Sequence, residues 1–119
     1  QHCDAPVSLQ DIYPTLAGLA NLQVPPGTAG HNLQPLLQDP ARPWQEAAIT
    51  VWEMHGQIHM AARDRRYRYI RYADGSEELY DHQQDPQEWH NLAKLPQYVD
   101  ARTTLKARMD EYLAGLPSP

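Results

Sequence analysis

The sequence is poor in cysteine and has no long apolar run, and each shortage removes a class of protein. A single cysteine, Cys3, cannot form an internal disulfide or a cysteine zinc site. No hydrophobic stretch approaches the ~18 residues of a membrane span, so we expect no membrane partner. The formal net charge of −5 argues against a nucleic-acid partner, because general nucleic-acid binders present clustered positive charge. The localisation is left unknown.

What the sequence does contain has the balance of a folded domain. Hydrophobic residues make up 41% of the chain and charged residues 21%, as in globular proteins. The 119 residues suit one domain, and the eleven prolines indicate generous loops. The chain begins with Gln rather than Met, so we expect it to start inside a longer precursor.

The first part of the chain predicts one helix. Apolar residues recur at helical spacing within residues 7–22, and Ser8 followed by Asp11 resembles a capping box. Pro14 predicts a kink, or a helix whose regular part begins near Tyr13. Gly18 weakens the helix further, so the apolar stripe needs a partner to pack against. The stripe consists of Leu9, Ile12, Tyr13, Leu16, Leu19 and Ala20.

The pattern changes after a proline-rich segment, residues 39–43, which is the one plausible internal boundary. Four β-rich segments follow, separated by turn signals such as Asp74-Gly75. No connection between them is long enough for a parallel crossover, so they predict an antiparallel meander. A last helix is predicted from Pro96 to about Leu113. The predicted strands are residues 48–52, 57–63, 66–72 and 77–81.

The order of these elements predicts the fold class. A helix, four strands and a helix indicate an α+β fold, namely a small four-stranded antiparallel sheet with a C-terminal helix packed on it. The predicted boundary divides the chain into residues 1–43 and residues 44–119. Asn32 can cap a short helical turn at the end of the first part.

One run near the fourth strand is more specific than the rest of the chain. Residues 78–81 read Glu-Leu-Tyr-Asp, and residues 85–93 read Asp-Pro-Gln-Glu-Trp-His-Asn-Leu-Ala. Asp-Pro initiates a turn, Glu88 can hold backbone amides, and Asn91 tolerates a left-handed conformation. The run, together with other segments in the same order, resembles the C-terminal portion of type I sulfatases in the alkaline-phosphatase superfamily. The nearest branch is the iduronate-2-sulfatase-like and sulfamidase-like one. The other segments are residues 7–20, 22–26, 30–37, 68–72 and 74–75.

The resemblance implies an enzyme whose reactive centre lies outside these residues. Type I sulfatases hydrolyse sulfate esters or sulfamates with a formylglycine, made in a Cys/Ser-x-Pro-Ser-Arg motif, beside a Ca²⁺ ion. Cys3 is followed by Asp-Ala-Pro and does not match that motif, and the chain has no Asp-Asp pair of the kind that opens the metal site. We therefore expect no catalytic residue, no metal ligand and no activity in this fragment alone.

The resemblance also implies how the fragment fits its parent. Residues 1–43 are expected to be the end of the large catalytic domain with its linker, and residues 44–119 the C-terminal subdomain. The fragment would brace the catalytic domain and line one side of a cleft for a sulfated sugar or another sulfate ester. Because the apolar face of residues 7–37 would then be made for the missing domain, the isolated fragment is expected to self-associate.

Two histidines are the candidates for the substrate rim. His55 and His59 have a spacing that could hold a metal on a helix. Gly56 and the flanking β-formers favour a turn and a strand, where residues four apart lie ~13 Å apart. Related sulfatases carry a Gly-x-His-like segment at this strand, so the resemblance places His59, with His55, at the rim. An ordinary hydrogen-bonded histidine is the alternative.

Other conspicuous residues have structural interpretations. Residues 65–72 alternate cations with aromatics, which is typical of a half-buried strand; contact with a glycan or with single-stranded bases is the alternative. Three carboxylates are interpreted as turn residues rather than as a catalytic pair, and the tryptophans as core anchors. The carboxylates are Asp81, Asp85 and Glu88, and the tryptophans are Trp44, Trp52 and Trp89.

Two rival functions remain open at the level of sequence. The parent could be a related phosphatase or phosphonate hydrolase, because the superfamily shares this subdomain. Alternatively, the chain could act alone as a non-catalytic module that binds glycans.

Overall fold

The computed structural model describes residues 2–115, and it confirms the predicted α+β fold. Four strands form one antiparallel sheet in sequential order, with three α-helices and two short 3-10 turns around it. Residue 1 and residues 116–119 of the two predicted parts lie outside the described residues. The helices are α1 (Ile12–Leu19), α2 (Gln34–Gln38) and α3 (Val99–Gly115); the strands are β1 (Ala48–Met54), β2 (Gln57–Arg63), β3 (Tyr67–Arg71) and β4 (Glu77–Asp81); the 3-10 turns are Leu9–Asp11 and Pro96–Tyr98.

Tight turns connect the strands, as the sequence predicts. His55 and Gly56 alone join β1 to β2, and both have positive φ angles, 54° and 75°. Such mirror-image turns match the twist of the strands that they join. Because the register pairs Met54 with Gln57, β1 extends two residues beyond its predicted end at Trp52. β3 is one residue shorter at each end than the predicted 66–72.

The core lies between α3 and one face of the sheet. Leu105 and Met109 on α3 are buried against Met60, Tyr69 and Leu79 from three successive strands. Burying an aliphatic side chain of this size contributes about 2 kcal/mol, so this layer holds the helix on the sheet. None of the helices in residues 2–115 is both long and apolar enough to cross a membrane.

The opposite face of the sheet is covered by no helix among the described residues, and we call it the open face. Alternation along the strands and the pairing register define its membership. One face packed on a core and the other polar is common for antiparallel sheets. The open face consists of Thr50, Trp52, His59, Ala61, Arg63, Arg68, Ile70, Glu78 and Tyr80.

The N-terminal helix forms with the capping box that the sequence predicts. The Ser8 side chain accepts a hydrogen bond from the Gln10 amide, and the Ser8 amide donates to Asp11 at 2.7 Å. One 3-10 turn precedes α1, so Pro14 falls in the first turn of α1. Amides there have no intrahelical partner, and the proline therefore costs the helix little.

The prediction that all three tryptophans are core anchors is wrong for Trp89. Its side chain is 77% exposed, because it lies on the turn after β4, beyond the edge of the core. Trp44 is half-buried with its ring edge-on to His31, and Trp52 is half-buried on the open face. The backbone roles in the same turn also differ from the prediction: Glu88, not Asn91, takes the left-handed conformation, with φ 60°.

Candidate functional site

His59 occupies a buried position on the open face. It is 6% exposed, and the register places it opposite Trp52, whose ring stacks on the imidazole at 5.4 Å between centroids. Tyr72 closes the other side edge-on at 5.6 Å. The ring is oriented by its Nδ1 atom, which accepts a hydrogen bond from the Ala73 amide at 3.3 Å. Strand pairing and the end of β3 therefore fix the position of this histidine.

The second ring nitrogen of His59 has no partner among the described residues. Because Nδ1 accepts a hydrogen bond, Nε2 carries the hydrogen in the neutral ring and is a donor. This donor is shielded from solvent and makes no hydrogen bond. An unsatisfied buried donor costs about 1–3 kcal/mol, so its retention needs an explanation. An acceptor outside these residues would satisfy it, after displacing one of the side chains that cover the atom.

His55 does not share a site with His59. It lies exposed at the tip of the β1–β2 turn, whereas His59 is buried within β2. Within residues 2–115 no three histidine, cysteine, aspartate or glutamate side chains come together as a metal site. The Ca²⁺ and formylglycine implied by the resemblance therefore do not fit the residues present, and no step of catalysis is derived through them.

A second polar cluster on the open face was not predicted from the sequence. Glu88 accepts hydrogen bonds from Arg68 and from the Nε2 atom of His82, both at 2.6 Å. Since Nε2 of His82 donates, its Nδ1 is the acceptor for Arg63, at 2.7 Å. Burial alone would raise the pKa of Glu88, but the hydrogen bonds from Arg68 and His82 outweigh it and the pKa is lowered.

These side chains line a groove of about 510 Å³ on the open face. Thr50 and Ala61 form its floor, and Trp52 stands at one end. The turn after β4 supplies a wall, because Glu88 is tied to the sheet by Arg68. The only sequence signal for this groove is the presence of arginines near the ends of two neighbouring strands. The other lining residues are Arg63, His82, Pro86 and Gln87.

The acidic residues of the same turn have structural partners. Asp81 is fully buried and receives hydrogen bonds from Arg66. Asp85 accepts from the His90 amide at 2.8 Å. Asn91 accepts from the amide of Leu79 at 3.1 Å, which ties the turn back to β4. These contacts account for the carboxylates without a catalytic role.

The N-terminal helix presents an apolar surface that nothing in the described residues covers. Its polar side holds the loop before α2: Asp11 accepts from the His31 amide at 2.7 Å, and Thr15 accepts from the Leu33 amide at 2.9 Å. The other side is exposed, with Leu9 at 85%. We call this surface the N-terminal apolar face. It consists of Leu9, Ile12, Tyr13, Leu16 and Leu19, each more than half exposed.

The sheet, its single covering helix and the turn that closes it define a C-terminal domain of the sulfatase type. The family model of the C-terminal part of N-sulphoglucosamine sulphohydrolase matches residues 1–114, and the chain belongs to this family. The predicted resemblance to type I sulfatases of the alkaline-phosphatase superfamily is thereby confirmed.

Curated relatives from two bacteria are sulfatases. A sulfatase of Formosa agariphila is 38% identical over 104 residues, which cover 87% of this chain and 20% of the relative. A Δ4,5-hexuronate-2-O-sulfatase of Bacteroides thetaiotaomicron is 36% identical over 110 residues, covering 87% of this chain and 23% of the relative. The chain thus spans only about a fifth of the length of these relatives.

Solved structures share the fold. A 2-O GAG sulfatase superimposes with a TM-score of 0.69 and 32% identity, over 87% of this chain and 24% of the sulfatase. The phosphonate monoester hydrolase of Agrobacterium radiobacter superimposes with a TM-score of 0.67 and 27% identity, over the same shares of the two chains. Each of these proteins is several times longer than this chain, which corresponds to one portion of them.

Proposed function

We propose that this chain is the C-terminal part of an enzyme that hydrolyses sulfate esters or sulfamates, bracing the catalytic domain and lining one side of its substrate cleft. The observation that carries the bracing role is the N-terminal apolar face. Single exposed apolar residues are ordinary, but five on one helix surface mark an interaction site. The occupant proposed is the catalytic domain, since the sulfatase relatives extend far beyond the matched region.

The role proposed for His59 is to bind, not to react. Its ring is held by Trp52, Tyr72 and the Ala73 amide, and it presents one unsatisfied donor. A donor of this kind suits an oxygen of a sugar hydroxyl, carboxylate or sulfate. His55, exposed on the adjacent turn, is proposed to contact the rim only from its edge. The nucleophile and the cation, a formylglycine and Ca²⁺, are assigned to the rest of the parent protein.

An assay of the isolated chain tests the division of labour. The 119-residue chain is incubated with an aryl sulfate in the presence of calcium, with a full-length sulfatase as positive control. We expect no turnover above that of buffer, because these residues supply no nucleophile or metal site. Clear turnover that scales with the concentration of the chain would overturn the proposal.

The binding role of His59 is tested in the full-length parent. His59→Ala removes the donor, and we expect KM for the sulfated substrate to rise about tenfold with little change in kcat. His59→Gln, which restores a donor, should recover part of the loss. His55→Ala is the matched control and should leave KM within about twofold. Equal effects of the two alanine variants would count against the role of His59.

A phosphonate or phosphate monoester hydrolase is the second candidate. It is supported by the likeness to the phosphonate monoester hydrolase, whose matched portion has a TM-score of 0.67. The full-length parent should be assayed side by side with an aryl sulfate and a phenyl phosphonate monoester. A higher kcat/KM for the phosphonate would favour this candidate over the sulfatase.

A further inference from the structure

We infer that the groove on the open face binds an anionic sugar unit, with Arg63 and Arg68 holding its sulfate or carboxylate and Trp52 packing on the ring. The inference rests on the proposed function for the class of ligand, a sulfated or uronate-containing glycan. It is carried by the charge, the shape and the polarity of the groove, each of which can be stated from side-chain geometry.

The charge of the groove is unbalanced. Arg63 and Arg68 are directly paired across β2 and β3, and like charges in that position repel each other. Glu88 forms an ion pair with Arg68 at 2.6 Å, which compensates one of the two positive charges. Arg63 contacts no carboxylate within ion-pair distance among the described residues; its partner is the neutral face of His82. One guanidinium charge is thus left for an anion.

The donors are suited to an oxyanion. The structure assigns one Arg63 nitrogen to His82 and one Arg68 nitrogen to Glu88. A guanidinium has five N–H donors in a planar fork, so each arginine keeps donors for a further acceptor. Two arginines side by side can therefore take a sulfate or carboxylate through charge-assisted hydrogen bonds.

The shape of the groove suits a sugar ring. Its floor is made of the small side chains of Thr50 and Ala61, and the indole of Trp52 forms one end. The volume of about 510 Å³ falls within the range of small-ligand sites. Because Trp52 is also stacked on His59, its ring is held in place rather than free to collapse into the groove.

The polarity of the open face favours a ligand in water over a docked protein domain. The apolar surface of the chain lies elsewhere, on the N-terminal apolar face. The groove instead combines two cations, one carboxylate and a histidine around a single aromatic ring. A domain docked here would have to bury the uncompensated charge of Arg63, which is costly without an acidic partner.

A titration of the 119-residue chain tests the inference. The probe is a 2-O-sulfated uronate–glucosamine disaccharide, with its desulfated counterpart and inorganic sulfate as references. Binding is followed by NMR through the indole N–H of Trp52 and the Nε–H of Arg63, both of which report from the folded sheet. We expect both signals to shift with the sulfated sugar, and the affinity to fall as salt rises.

Variants separate the groove from general electrostatic attraction. Arg63→Gln should weaken binding of the sulfated disaccharide about tenfold, the loss of one charge-assisted contact. Arg63→Lys, which keeps the charge but loses the fork, should bind with intermediate affinity. Lys106→Gln removes the same charge from the exposed side of α3 and should leave the affinity within about twofold.

Several results would overturn the inference. These are an absence of shifts at Trp52 and Arg63, equal weakening by Arg63→Gln and Lys106→Gln, and equal affinity for inorganic sulfate and for the disaccharide. None of them bears on the proposed function, which depends on the activity of the full-length parent and of the isolated chain. A parent that fails to hydrolyse sulfates while the groove still binds the disaccharide would reject the proposed function alone.

Discussion

Arg66 and Asp81 form an ion pair that joins the start of β3 to the end of β4. Nη2 of Arg66 lies 2.7 Å from Oδ2 of Asp81, and Nε of Arg66 lies 3.0 Å from Oδ1. The carboxylate is fully buried and also accepts from the Gln83 amide at 3.1 Å. The hydrogen bond to Arg66 outweighs the cost of burial and holds the pKa of Asp81 below its ordinary value.

Replacing this carboxylate should destabilise the fold. Asp81→Asn leaves Arg66 without its ionic partner and weakens the turn that follows β4, so we expect a loss of about 2 kcal/mol in the free energy of unfolding. Chemical denaturation followed by circular dichroism measures it. Asp110→Asn is the control, because Asp110 pairs with Arg71 at the surface. Its effect should stay within about 0.5 kcal/mol.

The same carboxylate predicts how stability depends on pH. The pKa of Asp81 is lower in the folded protein than its ordinary value of 3.8, so the unfolded chain takes up the proton first as the pH falls. The stabilisation is therefore complete well above pH 3.8 and is lost as the pH falls through the lowered folded pKa. The stability gap between wild type and Asp81→Asn should shrink from pH 6 towards pH 3. A gap that widens on acidification would contradict the prediction.

Asn91 closes the turn with its side chain. Its Oδ1 accepts from the amides of Leu79 and Ala93, at 3.1 and 2.9 Å, and its Nδ2 donates to the Glu77 carbonyl at 3.1 Å. Asn91→Ala removes all three bonds and should cost about 2–3 kcal/mol in the free energy of unfolding. Asn91→Asp keeps the acceptor and loses the donor, so thermal unfolding should place it between the two. An alanine variant as stable as wild type would refute this role.

The N-terminal apolar face predicts the behaviour of the isolated chain. We expect wild type to self-associate, and Leu16→Lys to shift the population towards monomer in sedimentation velocity, because a charge on this face opposes its burial. Ile58→Lys is the matched control: Ile58 on β2 is 62% exposed and Leu16 is 60% exposed. The control should still associate. A monomeric wild type would be evidence against an unpartnered docking surface.

The elements of the fold could be predicted because their signals are local. β2 and β4 have the predicted limits, since the turn residues Gly56 and Gly75 both take the positive φ that tight turns require. The Ser8–Asp11 capping box is read from two residues three apart. Hairpins with short connections leave few alternative topologies, which is why the sheet order followed.

The rest depended on where the chain meets itself in space. The network from Arg63 through His82 and Glu88 to Arg68 joins residues up to 25 positions apart, and no spacing rule brings them together. Trp89 is exposed because its turn lies beyond the core, although tryptophan is usually buried in part. The unsatisfied nitrogen of His59 also follows from packing and not from its strand position.

Determining the coding sequence immediately upstream of Gln1 tests the central claim most directly. The account predicts one continuous reading frame that encodes a Cys/Ser-x-Pro-Ser-Arg motif and an Asp-Asp pair, as in a full-length sulfatase. A start codon directly before Gln1, preceded by an in-frame stop, would contradict it, because the N-terminal apolar face would then have no catalytic domain in its own chain to support.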